Sequence, residues 1–283
     1  MIKYVESVTL FNKLKYIIHK HYISNYGTKL KHIMASNKKS NLINILRLKN
    51  FLFSYSKERF IKTNIEIAFP MISFCDLPLS EFAGYIGKYG GYSIGMSREW
   101  GRINRFNPVW YCESNSLIEH QLSDLLLKHI VNKKIRDVSL LLELNAYIKP
   151  VEGELNVKGH RYSNYRFMDE REVRLVPDFK VLNKNKLKFI LTQEQYIKYK
   201  NTNKNNSTLP LGIPFDWKDI KYIVVQNEAN IDEFKKILAI LGCDNNKISI
   251  FHQQQVKEDF IGIEHDIEKG DNNTTNKKYR SVK

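Results

Sequence analysis

Apolar positions along the chain change period several times, and each change predicts an element. Val5, Val8, Leu10, Phe11, Leu14, Ile17 and Ile18 recur at helical spacing and predict an amphipathic helical extension over residues 1–28. Lys29 to Ala35 reads as a short strand carrying His32. Leu42, Ile43, Ile45, Leu46 and Leu48, behind Ser40, predict a short helix, and Phe51 to Tyr55 an extended aromatic piece. Pro70 to Cys75 is an apolar run of buried-strand length. Asp76-Leu-Pro-Leu-Ser80 breaks it, with Asp76 or Ser80 as the N-cap of a helix over Glu81 to Lys88. Gly90-Gly91 ends that helix, and Tyr92 to Met96 is the next strand.

Pro108 to Cys112 reads as a further strand. Ser116-Leu-Ile-Glu119 has capping-box spacing and opens a helix with an apolar stripe at Leu117, Leu122, Leu125, Leu126 and Ile130. A second helix follows at about Val138 to Ile148 and stops at Pro150. The pair reads as a helical insertion over 117–148, placed as a lid or a docking hairpin. Residues 151–168 read as a loop and Asp169 to Val176 as a strand. Leu187 to Leu191 is another strand, Thr192 caps a helix with Gln195 reciprocating, and 200–208 is a polar loop. Residues 220–251 form a β–α–β unit. Its strands are Ile220 to Gln226 and Lys247 to His252, its helix has Asn230 as N-cap and Glu233 reciprocating, and Gly242 ends the helix. From residue 264 apolar periodicity stops, which predicts a disordered tail over 264–283. These elements predict one α+β domain over 29–263, with a central mixed or antiparallel sheet flanked by helices.

Charge and composition narrow the function classes. The chain has 283 residues, with 45 Lys and Arg against 30 Asp and Glu. The excess is spread out rather than gathered into a block, so it fits either compositional drift or a surface that attracts anions. Cys75, Cys112 and Cys243 form no Cys-x-x-Cys pair, which excludes a zinc ribbon, and their odd number fits a reducing cytosol. Lys13, Lys15, His19 and Lys20 interrupt any leader-like apolar core, and no run is long enough to span a membrane. A cytoplasmic protein is expected. Gly-x-Gly-x-x-Gly, Walker, helix-turn-helix and metal-ligand spacings are absent.

The candidate chemistry gathers around Asp169-Glu-Arg-Glu-Val-Arg-Leu-Val-Pro177. Strand alternation would put Glu170, Glu172 and Arg174 on one face and Arg171, Val173 and Leu175 on the other. The first face is either a structural ion-pair network or the polar wall of a pocket. His160, Arg161, Tyr162, Tyr165 and Arg166 mix basic and aromatic groups of the kind that hold a nucleotide by stacking and charge. Tyr89, Gly90, Gly91, Tyr92 and Gly95 put small residues beside aromatics, which permits a tight turn or a close ligand approach.

Several stretches together resemble the abortive-infection protein family AbiGi. They are Lys31-His-Ile33, Leu42-Ile-Asn-Ile-Leu46, Ser54-Tyr-Ser-Lys-Glu58, Pro70-Met-Ile-Ser-Phe-Cys-Asp-Leu-Pro-Leu-Ser80, Lys88-Tyr-Gly-Gly-Tyr-Ser-Ile-Gly95, Asn107-Pro-Val-Trp-Tyr111 and Asp169-Glu-Arg-Glu-Val-Arg174. The resemblance spans roughly residues 29 to 251 and implies a phage-defence protein, an antitoxin acting with a cognate toxin. Val173, and Met34 with Ala35 after His32, depart from the family pattern. The order His, then aromatic and small residues, then Glu is also similar to ADP-ribosyltransferases. That likeness implies NAD as cofactor, Glu172, His32 and Glu170 as catalytic residues, and Tyr89 or Tyr92 against the nicotinamide. Asp76, Arg171, Arg174, Arg161 and Arg166 would complete ligand binding, with no metal. A nucleic-acid-binding regulator is a third reading and needs the basic residues on one face.

Overall fold

The computed structural model describes residues 31–36, 38–59, 66–132, 135–157, 160–203, 208–244 and 247–258. The expected N-terminal helical extension and polar tail lie outside the described residues. The chain first runs through β1 (Lys31–Ser36), α1 (Lys39–Leu48), β2 (Asn50–Arg59), β3 (Glu66–Leu77), α2 (Leu79–Tyr89) and β4 (Tyr92–Met96). Next come α3 (Arg98–Ile103), β5 (Asn107–Pro108), β6 (Trp110–Cys112), α4 (Leu117–Val131), α5 (Ile135–Asn145), β7 (Ile148–Pro150), β8 (Glu152–Val157) and β9 (His160–Arg166). A 3-10 turn, Phe167–Glu170, leads to β10 (Glu172–Leu175), α6 (Phe179–Lys184), β11 (Leu191–Thr192), α7 (Gln193–Thr202) and β12 (Thr208–Pro214). After a second 3-10 turn come β13 (Ile220–Val225), α8 (Ala229–Ile240) and β14 (Ser249–His252).

β3 is the hub of the main sheet, whose order is β12-β2-β3-β1-β4-β13-β14. Its first half pairs with β2 and its last residues with β1, while β11 and β10 pair along the opposite edge. All these pairings are antiparallel, and only β13–β14 is parallel within this sheet, so the sheet is mixed. Helices cover both faces, and β3 accordingly reads as a continuous apolar run rather than an alternation. Pro70 sits in the middle of this strand although proline lacks a ladder donor. On the β10/β11 edge it falls between Ala68, the last partner of β11, and Ile72, the first of β10, where β3 has no neighbour.

Side-chain parity sorts the core. Ala68, Ile72 and Phe74 face a large cluster with Leu42 and Leu46 of α1 and Phe234 and Leu238 of α8. Phe51, Phe74, Trp100 and Phe106 pack there at ring-centroid distances of 5.1–5.7 Å. Ile67, Phe69 and Met71 face a smaller cluster with Ala146, Leu182 and Phe189. Leu77 joins Phe82, Ile86, Tyr222 and Val224 beneath α2.

Several expectations need correction. The strand expected over Asp169–Val176 starts only at Glu172, because Phe167–Glu170 forms a 3-10 turn and Arg171 adopts left-handed backbone, φ 45°. Residues 151–168 are largely the hairpin β8–β9 rather than a loop. Pro108 to Cys112 is two short strands, and the second inserted helix ends at Asn145, leaving Ile148 to pair with Trp110. Neither Asp76 nor Ser80 caps α2: Pro78 holds that position without a side-chain bond. Asn230 lies inside α8, where its amide donates to Glu233 and fixes that carboxylate for Lys39. The strand expected at Leu187–Leu191 contracts to Leu191–Thr192, and the polar loop is bounded by α7 and the unforeseen β12.

Candidate functional site

β10 carries Glu172 and Arg174 on one face, opposite Cys75 and Ser73 of β3. The Arg174 guanidinium is fully buried and fully used. Nε donates to Glu172 Oε1 at 2.5 Å, Nη2 to Glu172 Oε2 at 2.9 Å and to Glu58 Oε1 at 2.5 Å, and Nη1 to the Ala146 carbonyl at 2.9 Å. Lys149 of β7 donates to Glu172 Oε2 at 2.9 Å and to Glu170 Oε2 at 3.0 Å. Tyr89 donates its hydroxyl hydrogen to Glu170 Oε1. The left-handed residue Arg171 makes this possible. The backbone reverses there, its carbonyl accepts from the Asp76 N–H at 3.0 Å, and its side chain turns outward to Glu81 at 3.0 Å. Glu170 and Glu172 are left on either side of Lys149. Glu172 N–H donates to the Tyr111 hydroxyl oxygen at 2.8 Å.

Formally, three carboxylates (Glu58, Glu170, Glu172) meet two cations (Lys149, Arg174) inside the protein. Burial alone would raise the Glu172 carboxyl, but Arg174 and Lys149 overcome it and hold it well below the usual carboxylate range. Burial pushes Glu58 up, and Arg174 and Lys149 do not overcome it, so Glu58 stays above that range. Lys149 is pulled towards neutrality by burial and returned above its ordinary value by Glu172 and Glu170. Both Glu172 oxygens are engaged, so the cluster works as a tie between β2, β7, β10 and the end of α5.

Beside this tie lies an open groove of about 530 Å³ between α2 and β9, lined by Tyr85, Lys88, residues 161–166 and Asp169. The Lys88 ammonium lies over three rings, 4.5 Å from the centroid of Tyr165, 5.5 Å from Tyr85 and 5.7 Å from Tyr162. Arg161 pairs with Glu154 at 2.7 Å and Arg166 with Asp169 at 3.2 Å. The groove meets the network at Tyr165, whose hydroxyl is raised in pKa by burial and by the neighbouring Glu170 carboxylate.

The sequence candidates therefore separate. Glu170, Glu172, Arg174 and Tyr89 share the network, and Arg161 and Arg166 line the groove. Asp76 is buried and pairs with Arg98 at 2.5 Å. Tyr92 turns into the main core, stacks on Phe234 and donates to Asn230 at 3.2 Å. His32 stands in β1 with its backbone opposite Asp76 and Met96; its side chain is outside the described residues. Glu58, Tyr85, Lys88, Tyr111 and Lys149 were not anticipated. Glu58 lies between Lys57 and Arg59 and looks like surface, and Lys149 precedes a proline after a helix; neither spacing marks a buried partner. Among the described residues no group of His, Cys, Asp or Glu is arranged to hold a metal ion, and no helix is long and apolar enough to cross a membrane.

A family profile described as "Putative abortive phage resistance protein AbiGi, antitoxin" matches residues 40–226. That span contains the network and the groove; His32 precedes it. The chain is 29% identical over 187 residues to a Lactococcus lactis subsp. cremoris protein named abortive phage resistance protein AbiGi, covering 56% of this chain and 72% of the relative. No solved structure matches the chain.

Proposed function

Because the chain belongs to the AbiGi family of abortive phage resistance proteins, we propose that it is the antitoxin of a two-component system and restrains a cognate toxin by direct contact. The observation that supports contact is the outer side of α4. Leu117, Ile118 and Leu125 are all exposed there, Ile118 and Leu125 being seven residues apart and so on one side of the helix. Leu140 of α5 and Trp110 of β6 are also exposed. Large apolar groups gathered on an inserted helical pair suit a protein interface better than solvent. The transferase reading needs Glu172 to face a cleft. Its burial between Arg174 and Lys149 is the reason to prefer the partner-binding reading.

The test is neutralisation of the co-expressed cognate toxin, scored as growth, with the melting temperature of each purified variant. Ile118→Asp combined with Leu125→Asp is expected to abolish neutralisation while moving Tm by less than a few degrees, because both side chains are half exposed and neither belongs to a core cluster. Full neutralisation by that folded variant would remove α4 from the interface.

A further inference from the structure

We infer that the groove between α2 and β9 binds a nucleoside phosphate, with the phosphate at Lys88, Arg161 and Arg166 and the base against Tyr162. This site is separate from the α4 surface, so either reading can fail alone. The first support is charge. Among the described residues Lys88 has no carboxylate within ion-pair reach, and only ring faces meet its ammonium. A cation so placed on the wall of an open groove is a ready receptor for an anion. Arg161 and Arg166 are held only by exposed pairs with Glu154 and Asp169, and exposed pairs are worth little and exchange readily. An arriving phosphate would draw on three cations while the groove lining itself contributes one carboxylate, Asp169.

The second support is shape and ring supply. A volume of about 530 Å³ falls within the range of small-ligand sites. Tyr162 is partly exposed and on the lining, so it offers a face for stacking without unfolding anything. A free phosphate would use the cations and leave this ring idle; a free nucleoside would do the reverse. The lining carries both, which points to a ligand that joins a flat aromatic ring to a phosphate.

The experiment is calorimetric titration of the full-length protein with ADP, GDP and UDP, and with pyrophosphate and adenosine as halves of the ligand. At least one diphosphate is expected to bind about tenfold or more tightly than pyrophosphate and than adenosine. Tyr162→Ala and Lys88→Met are each expected to weaken it about tenfold, within the usual loss for a stacking ring or a charge-assisted contact, with Tm unchanged. If Lys88→Met lowers Tm, the exposed Arg161→Ala takes its place. Binding of none of the three diphosphates overturns the inference. So does pyrophosphate binding as tightly as they do, which would mark a general anion patch on a basic protein. Unchanged affinity in folded Tyr162→Ala likewise overturns it.

Discussion

A guanidinium with no exposed surface is costly to desolvate, and Arg174 is held there by two carboxylates and a carbonyl. Arg174→Met would keep much of the volume but strand Glu58 and Glu172 beside a single remaining cation. The expected loss is about 3–5 kcal/mol, read by denaturant unfolding; a loss under about 1 kcal/mol would mean the pair is replaceable by packing alone. The pH response follows from the two opposite shifts. Glu172 is held below its unfolded value, so the stability it supplies is present above the ordinary carboxylate range and lost as pH falls through its lowered folded value. Glu58 is held above its unfolded value. Its contribution is full below the ordinary range and lost as pH rises through the raised folded value. Glu58→Gln keeps an acceptor for Arg174 and cannot ionise, so its Tm relative to wild type should climb as pH rises from the ordinary carboxylate range through the raised Glu58 value. A flat difference would show that Glu58 is not held above its unfolded value. The charged alternation at Glu172 and Arg174 was legible in the sequence, but its partners were not. Glu58 and Lys149 reach it from 116 and 23 positions away respectively (Glu58 to Arg174, Lys149 to Glu172), and no local pattern encodes such pairings.

At the scale of elements, the segments that were legible are those with an apolar helical stripe or an unbroken apolar run. α1, β4 and β13 follow their apolar spacing closely, and the Thr192 capping box forms as expected, with Gln195 reciprocating. The hairpin β8–β9 was missed because residues 160–164 of β9 are all exposed and show no alternation, while the alternation of β8 runs only from Glu152 to Asn156. β12 was hidden by Pro210, Gly212 and Pro214 and by a register shift between Thr208 and Gly212. Gly95 of β4 has a packing reason. A Cβ there would meet the Tyr222 ring of β13 at 2.4–2.8 Å, closer than atoms can sit. Gly95→Ala should therefore cost about 1–3 kcal/mol by forcing that buried ring or the strand aside. Combining it with Tyr222→Leu should recover part of the loss, a coupling that a double-mutant cycle measures. Strict additivity of the two changes would mean the ring is not what excludes the methyl group.

For the whole molecule, the question is whether the helical pair is an appendage. The chain leaves β6 at Cys112 and returns at Ile148 to close β6–β7, a separate two-stranded parallel sheet. Seen as an insertion, residues 117–148 should be removable with the core left intact. The outer end of the pair fits that view, since Leu117, Ile118 and Leu125 face solvent. The inner end does not. Ala146 is fully buried against Phe69 and Met71, and its carbonyl accepts one of the guanidinium's hydrogen bonds. The Tyr147 hydroxyl accepts from the Val176 N–H at 3.1 Å, tying the same turn to the end of β10. Deleting 117–148 would thus open the smaller core cluster, leave an Arg174 donor without an acceptor and free the strand that positions Lys149. Each of these is a large-effect lesion, and together they should lower Tm by about 10 °C or more. Ile118→Asp with Leu125→Asp, which alters only the outer face, should leave Tm nearly unchanged. Comparing the two variants separates docking from folding: toxin neutralisation should be lost in both, and the fold weakened only in the deletion. A deletion protein that melts at the wild-type temperature would show that the tie through Ala146 carries no stability.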